Sequence, residues 1–384
     1  MRQKGLFITL AVIVFLIMFK VIWVWCYTHN LDNFESEKED ILKRRNFLLE
    51  KVIVAPTDLL NSAPDAIGAQ FQGEWALYSC SMLTKALKNI SLLYPETKKD
   101  NLIKIDSIIE IALSQQIRQY DWHRWNEDPL EELSKEGNGH LSYLSHVAWM
   151  IGNYKFIGGS GRYDSIYDNI CETLYFRINN ADNLCLPTYP GEPIYLPDML
   201  VAIVALKEYG DIYNNRYRDL VERWLEKTKT EWIDAETGLM KSYISEEDDN
   251  MPVRGSYSAL NCYYLTQIDD DFALDQYSRL KDLFSKDRTI LSGIKEFHDK
   301  SPFLAFDVDA GIILTGLSPS GTAFAVGCAT YFDDREVRNK LLKTAETAGH
   351  SVSSGNKTHY LLADIALVGE AIMLAMRTTC RVLQ

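Results

Sequence analysis

Residues Gly137-Asn138-Gly139-His140-Leu141-Ser142-Tyr143-Leu144-Ser145-His146, running on to Gly158-Gly159-Ser160-Gly161-Arg162-Tyr163-Asp164, decide the fold. A Gly-Asn-Gly break precedes a run with Leu141, Leu144, Val147, Ala148 and Met150 at helical spacing. That run stops at a glycine-rich turn, and a new helix begins near Asp164. The stretch is therefore a helical hairpin, with two histidines and a tyrosine at its N-terminal mouth.

Outward from this hairpin the pattern repeats. Segments 74–94, 99–118, 164–178, 196–209, 213–232, 256–268, 272–286, about 310–331, 333–348 and 359–377 carry apolar residues at the helical period. No stretch alternates apolar and polar for long enough to form a sheet, and strand-like pieces such as 231–240 fall in loops. Hairpins every 40–60 residues predict stacked helix pairs. The linkers 119–138, 186–197, 241–257 and 298–310 are too aromatic for plain surface loops, which favours a closed ring over an open solenoid. The expectation is an all-α toroid of about eleven helices in (α/α) hairpins over residues 66–384, its pocket faced by His140.

The N-terminus has a different character. Arg2 and Lys4 precede an apolar run over residues 6–27 broken only by Lys20. About 22 helical residues span a hydrocarbon core of roughly 30 Å. Trp23, Trp25 and Tyr27 sit where aromatic rings favour the interface, and Lys20 lies near enough to snorkel. A cleaved signal peptide would have a shorter apolar region followed by small residues, not Trp25-Cys26-Tyr27. Basic residues before the span and acidic ones after it (Asp32, Glu35, Glu37, Glu39, Asp40) predict residues 1–5 in the cytoplasm and the barrel outside, as in a single-pass protein of a bacterial inner membrane. Residues 28–65 read as a juxtamembrane stem and linker, with an amphipathic helix over 32–54 and breaks at Pro56 and Pro64.

The 384 residues are 47% hydrophobic, ample for a large core, and a net charge of −13 disfavours nucleic acid or an anionic membrane surface as a partner. The seven cysteines form no CxxC pair, so neither a structural zinc site nor a thioredoxin-type motif is expected. Cys171 and Cys185 are 14 residues apart across one hairpin, compatible with a bridge or with two buried thiols.

Several stretches carry candidate chemistry. His140 begins a helix, where the positive helix end disfavours imidazolium, so it reads as a neutral base or proton relay; Tyr143 shares its face. His140 and His146 lack the i, i+4 spacing of helical zinc ligands, and no metal or other cofactor is expected. The linker Gln119-Tyr120-Asp121-Trp122-His123-Arg124-Trp125 offers a carboxylate, an imidazole and a guanidinium between aromatics. The loop from Cys185 to Asp198, stiffened by four prolines, presents Tyr189, Glu192, Tyr195 and Asp198; a carboxyl held against aromatics has a raised pKa, although Asp198 could simply cap the next helix. Asp307 and Asp309 stand before a glycine-punctuated apolar run, and Arg254 and Tyr257, after an acidic run at 246–249, could line the same mouth.

Gly139-His140-Leu141, the aliphatic helix, Tyr154 and Gly159-Ser160-Gly161-Arg162-Tyr163-Asp164 together resemble the linalool dehydratase/isomerase domain family over roughly residues 70–380. The resemblance implies an (α/α)6 barrel and acid–base chemistry at His140. It also implies roles for two loop cysteines: Cys185 would be the first, and Asp198 is the nearest ionisable group to the second. An aspartate and a tyrosine near the first barrel helix act in that family, and Glu74 and Tyr78 are the nearest types here.

Three functions fit. In the first, a membrane-anchored lyase or isomerase uses His140 as base or relay, with Asp198, Glu192, Asp121 and Cys185 as further catalytic groups. Substrate would then be held by Tyr143, Tyr189, Tyr195, His123, Arg124, Trp125, Asp309 and Tyr257. In the second, a carbohydrate-active hydrolase or lyase on the same fold acts through carboxylates, with Asp198 and Asp309 as the first pair to test. The third is a non-catalytic envelope scaffold. The partner is accordingly a small-molecule or glycan substrate.

Overall fold

The computed structural model describes residues 2–30, 34–131, 133, 136–245, 251–288 and 291–381. The acidic run at 246–249 and Asp32 lie outside the described residues. The barrel is a closed ring of six inner helices: α4 (Ala69–Leu93), α7 (Leu141–Phe156), α9 (Leu196–Ile212), α11 (Gly255–Leu265), α13 (Pro319–Tyr331) and α15 (Leu367–Arg377). Each packs on the next, and α15 returns onto α4. Around them lie α2 (Phe34–Val52), α5 (Lys98–Ala112), α8 (Asp164–Asn180), α10 (Arg218–Glu231), α12 (Asp270–Phe284) and α14 (Arg335–Gly349), with short α3 (Pro56–Leu60) and α6 (Gln115–Trp125) between. The ring of helical hairpins that the periodicity predicts is thus closed, and it is an (α/α)6 barrel.

Burial separates the two rings. Fourteen of the 16 residues of α7 and all 11 of α11 are buried, whereas α10 buries only Leu220, Val221, Trp224 and Thr228 along one stripe. Inner helices are apolar nearly all round because neighbours cover every face; outer ones are amphipathic. Every inner helix has its N-terminus at the same end of the ring, which forms the cup, and the outer helices run the other way.

Short two-stranded pieces decorate the loops. β1 (Ile194–Tyr195) pairs antiparallel with β2 (Tyr243–Ile244), and β3 (Ser285–Lys286) with β4 (Gly293–Ile294). β5 (Leu304–Asp307) and β6 (Gly311–Leu314) form a hairpin with Leu304 opposite Leu314 and Phe306 opposite Ile312. β7 (Ser351–Ser354) and β8 (Lys357–Tyr360) form another.

Four expectations are corrected. The stretch read as a stem is α2, an outer helix of the barrel: its Ile41, Phe47, Leu48 and Val52 join the core, and buried Arg44 binds Glu370 of α15 at 2.6 Å. Linker 119–138 begins inside α6, whose Ser114 cap accepts from the Ile117 amide. The apolar runs at 310 and 359 begin as β6 and β8, and their helices start only at Pro319 and Leu367. Finally, Lys20 does not snorkel: on α1 (Arg2–Asn30) its ammonium donates to the Glu346 carbonyl and meets His350 Nδ1, both at 2.9 Å, while the Trp23 indole donates to Glu346 Oε1 at 2.8 Å. The α1 segment Ile8–Thr28 is long and apolar enough to cross a membrane.

The glycine-rich turn at 158–161, after the C-terminus of α7, sits at the end opposite the cup. There Gly158 has φ +88°, and a Cβ on Gly159 would lie 2.3 Å from the Tyr154 ring. Those glycines are needed for the α7–α8 turn to close.

Candidate active site

The cup floor gathers acidic and phenolic groups from four parts of the chain. Glu74 lies in the second turn of α4, and Tyr78, one turn on, shares its face. The Tyr78 hydroxyl donates to Asp198 Oδ1 at 3.3 Å, and Thr188 Oγ1 donates to Asp198 Oδ2 at 2.7 Å. Asp198 thus sits in the first turn of α9 with its carboxylate held by the rigid loop before it and by α4. From the β5–β6 turn Asp309 accepts the Tyr257 hydroxyl at 2.7 Å, with the Arg254 guanidinium 3.9 Å away.

Electrostatics distinguish these carboxyls. Burial pushes Glu74 well above the usual carboxylate range, and neighbouring Asp198 and Asp309 push it further. Burial likewise raises Asp198, to about 6, with Asp309 adding to the shift against the Thr188 and Tyr78 hydrogen bonds. Asp309 is raised as well, mainly by burial. Glu74 and Asp198 are largely covered by protein, whereas the Asp309 side chain is 46% exposed at the rim; together they make an acidic site in which burial favours the neutral form of the covered members. Asp307 differs: the Ala310 amide and Arg254, at 2.7 Å, outweigh its burial and hold it low.

Aromatic rings wall the site. Tyr195 meets Tyr243 and Tyr257 edge-on, with centroids 5.6 and 6.1 Å apart. Tyr189 lies beside Glu74 under the Arg124 guanidinium, 4.5 Å from its ring centre, and Arg124 pairs with Glu192. Seven residues expected at the site therefore do converge: Asp198, Asp309, Tyr189, Tyr195, Tyr257, Arg124 and Glu192.

Six others do not line the cup. His140 is 0% exposed: Nδ1 meets Asp121 Oδ2 at 2.5 Å and Nε2 meets Glu127 Oε1 at 2.8 Å, so neither nitrogen is free for substrate. Asp121 is equally sealed. Trp125 packs on the His140 ring at 5.5 Å, bracing this buried cluster. The Tyr143 hydroxyl donates to the Ala112 carbonyl at 2.9 Å deep in the core. Burial raises the Cys185 thiol to about 12, too high for a nucleophile, and all seven cysteines are free. His123 lies exposed on α6. His146 is buried too, hydrogen-bonded to Ser81 at 2.8 Å and tilted against the Tyr78 ring, with burial lowering it to about 3.

Glu74 was the residue hardest to find. Its signal is the one acidic residue of an inner helix, four residues before a tyrosine on the same face. Among the described residues a potential metal-ligand set, Glu236, His298 and Asp299, is on the surface and is explained by the His298–Asp299 contact at 3.0 Å.

No family model matches the chain. The fold is similar to that of a glycoside hydrolase from family 105 of C. acetobutylicum ATCC 824, with a TM-score of 0.53 and 12% identity over 78% of this chain and 92% of that one. At that identity the likeness is one of architecture, and it sets this chain among the (α/α)6 barrels.

Proposed function

We propose that the protein is a membrane-anchored carbohydrate-active enzyme, a hydrolase or lyase that cleaves a glycosidic link in the cup. The observation that carries this reading is the juxtaposition of Glu74, whose carboxyl is raised by burial and by its acidic neighbours, with Asp198, held by Tyr78 and Thr188, among tyrosine platforms. Glycoside cleavage needs that division of labour: one carboxyl gives a proton to the departing oxygen, and another accepts one from water or attacks the sugar carbon. Glu74 is the acid. Its proton goes to the leaving-group oxygen as the C–O bond breaks, and water supplies hydroxide to the sugar carbon while Asp198 takes its proton. Tyr195, half-buried at the wall, offers a ring to sugar C–H groups, Tyr257 braces it under the Arg254 guanidinium, and Arg124 offers a donor to a polar substituent. The fold likeness to a glycoside hydrolase agrees with this reading. The apolar segment of α1 would anchor the chain, with the basic residues before it on the cytoplasmic side.

The lyase or isomerase reading, including alcohol dehydration of the linalool dehydratase kind, calls on the same acid and base. In it Glu74 would protonate the departing hydroxyl, a step His140 is too enclosed to perform. Incubating the protein with a panel of uronate-containing and neutral glycans separates the readings. New reducing ends report hydrolysis, and new reducing ends with ultraviolet absorbance of an unsaturated sugar report elimination. Both should vanish in Glu74→Gln and Asp198→Asn. Product formation that persists in both variants would sink the proposal.

A further inference from the structure

The cup opens toward the membrane. α1 lies antiparallel to α14: Lys20 and Trp23 bind Glu346 and His350 at the C-terminal end of α14, while Tyr27 reaches Asp40 further down α2. The outer helices end where the inner helices begin, so Lys20 stands level with the cup rim. Beyond the rim the helix stands exposed: Leu10, Phe15, Leu16, Ile17, Met18 and Phe19 are each more than half exposed. The anchor thus leaves the barrel from its open end.

Length sharpens the point. Fourteen helical residues, 6–19, reach about 21 Å, short of a hydrocarbon core of roughly 30 Å. A span that matches must include α1 to about Trp25, whose outward side with Val21 and Ile22 is exposed and apolar. That depth brings the rim itself to the lipid.

The rim has the surface such contact requires. Of the 14 exposed large hydrophobics outside α1 among the described residues, nine lie at the cup end. Four of these, Leu304, Phe306, Ile312 and Leu314, share one face of the β5–β6 hairpin whose tip carries Asp309. Leu361, Leu362 and Ile365 form a second patch, interrupted by exposed Asp364 and adjoining the anchor: the Leu361 amide donates to the His350 carbonyl at 3.2 Å. Patches this concentrated are rare on faces that meet only water.

We infer that the cup rim docks on the bilayer leaflet beside the anchor, through the β5–β6 hairpin and the 361–365 turn. Docking holds the cup mouth at the lipid surface, so its substrate class is a glycan tethered to that membrane. This inference rests on the anchoring reading above. The test reconstitutes the full chain in zwitterionic vesicles of phosphatidylcholine and phosphatidylethanolamine and compares hydrogen exchange with the detergent-solubilised protein. Amides in 303–314 and 361–365 should slow by about tenfold or more in vesicles, while those of α8 and α10 stay unchanged. In Phe306→Ser with Ile312→Ser, the slowing over 303–314 should disappear while the protein still floats with the vesicles. Floating protein with no slowing in either segment overturns the docking and leaves the anchor standing. Protein that does not float overturns both.

Discussion

At the scale of single residues, Asp198 and Glu74 carry the most testable chemistry. Each keeps a proton to a higher pH than a free carboxyl because burial disfavours its charge. Removing either should lower turnover by about 10²- to 10⁴-fold, the usual worth of a positioned acid or base, measured as initial rate on the glycan found active. Stability should move the other way. The unfolded Asp198 carboxyl titrates near 3.8 and the folded one near 6, so the folded state holds the extra proton between those values. Stability therefore falls as pH rises from 4 to 6, and the full penalty, about 3 kcal/mol, is present above pH 6. Asp198→Asn keeps the shape and drops the charge. Its melting temperature should exceed that of the parent at pH 8 and match it at pH 4; an equal or lower value at pH 8 would mean the carboxylate is not strained by its site.

Among elements, the entry to α7 shows what a sequence can and cannot disclose. The Gly-Asn-Gly break and the histidine correctly mark a helix start, and His140 does adopt an unusual backbone, φ 47°, at the N-cap. Its role was not legible, because Asp121 and Glu127 reach it from 19 and 13 residues upstream, and only the α6–α7 packing shows that both ring nitrogens are taken. Asp198 and Asp309 were legible because rigid or turn-rich loops announce themselves locally. Glu74 is marked in the sequence only as the nearest type to an acid that the resemblance implies, because its meaning depends on α4 facing α9. We expect His140→Ala to cost roughly 3–5 kcal/mol, since it strands a buried aspartate. The measurement is thermal unfolding alongside the activity of the protein that remains folded. A folded, equally stable variant with lost activity would return His140 to the chemistry.

Considered whole, the barrel has two unlike ends. The cup is acidic; the opposite end holds a cavity of about 410 Å³ lined by Lys85, Lys88, Glu208, Gln267, Asp270 and Arg381 among others. Lys88 pairs with Glu208 at 2.9 Å, but Lys85 stands 4.0 Å from the same carboxylate and rests on Gln267 and the Trp149 ring. Burial, with Lys88 beside it, lowers Lys85 from 10.5 to about 7. The folded chain thus releases this proton earlier than the unfolded chain does. The resulting penalty is complete below pH 7 and is relieved as pH climbs toward 10.5. Asp198 and Lys85 therefore tilt stability in opposite directions, and between pH 6 and 7 both penalties act together. Lys85→Met removes the charge and keeps most of the volume. It should stabilise the protein at pH 6.5 by on the order of 3 kcal/mol, allowing for the lost hydrogen bond to Gln267, and the gain should shrink by pH 10. Unfolding followed at both pH values, with the Lys85→Met, Asp198→Asn double variant alongside, checks this. The two sites lie at opposite ends of the barrel and share no partner, so their gains at pH 6.5 should add; a double variant well short of the sum would mean that charge at one end is felt at the other.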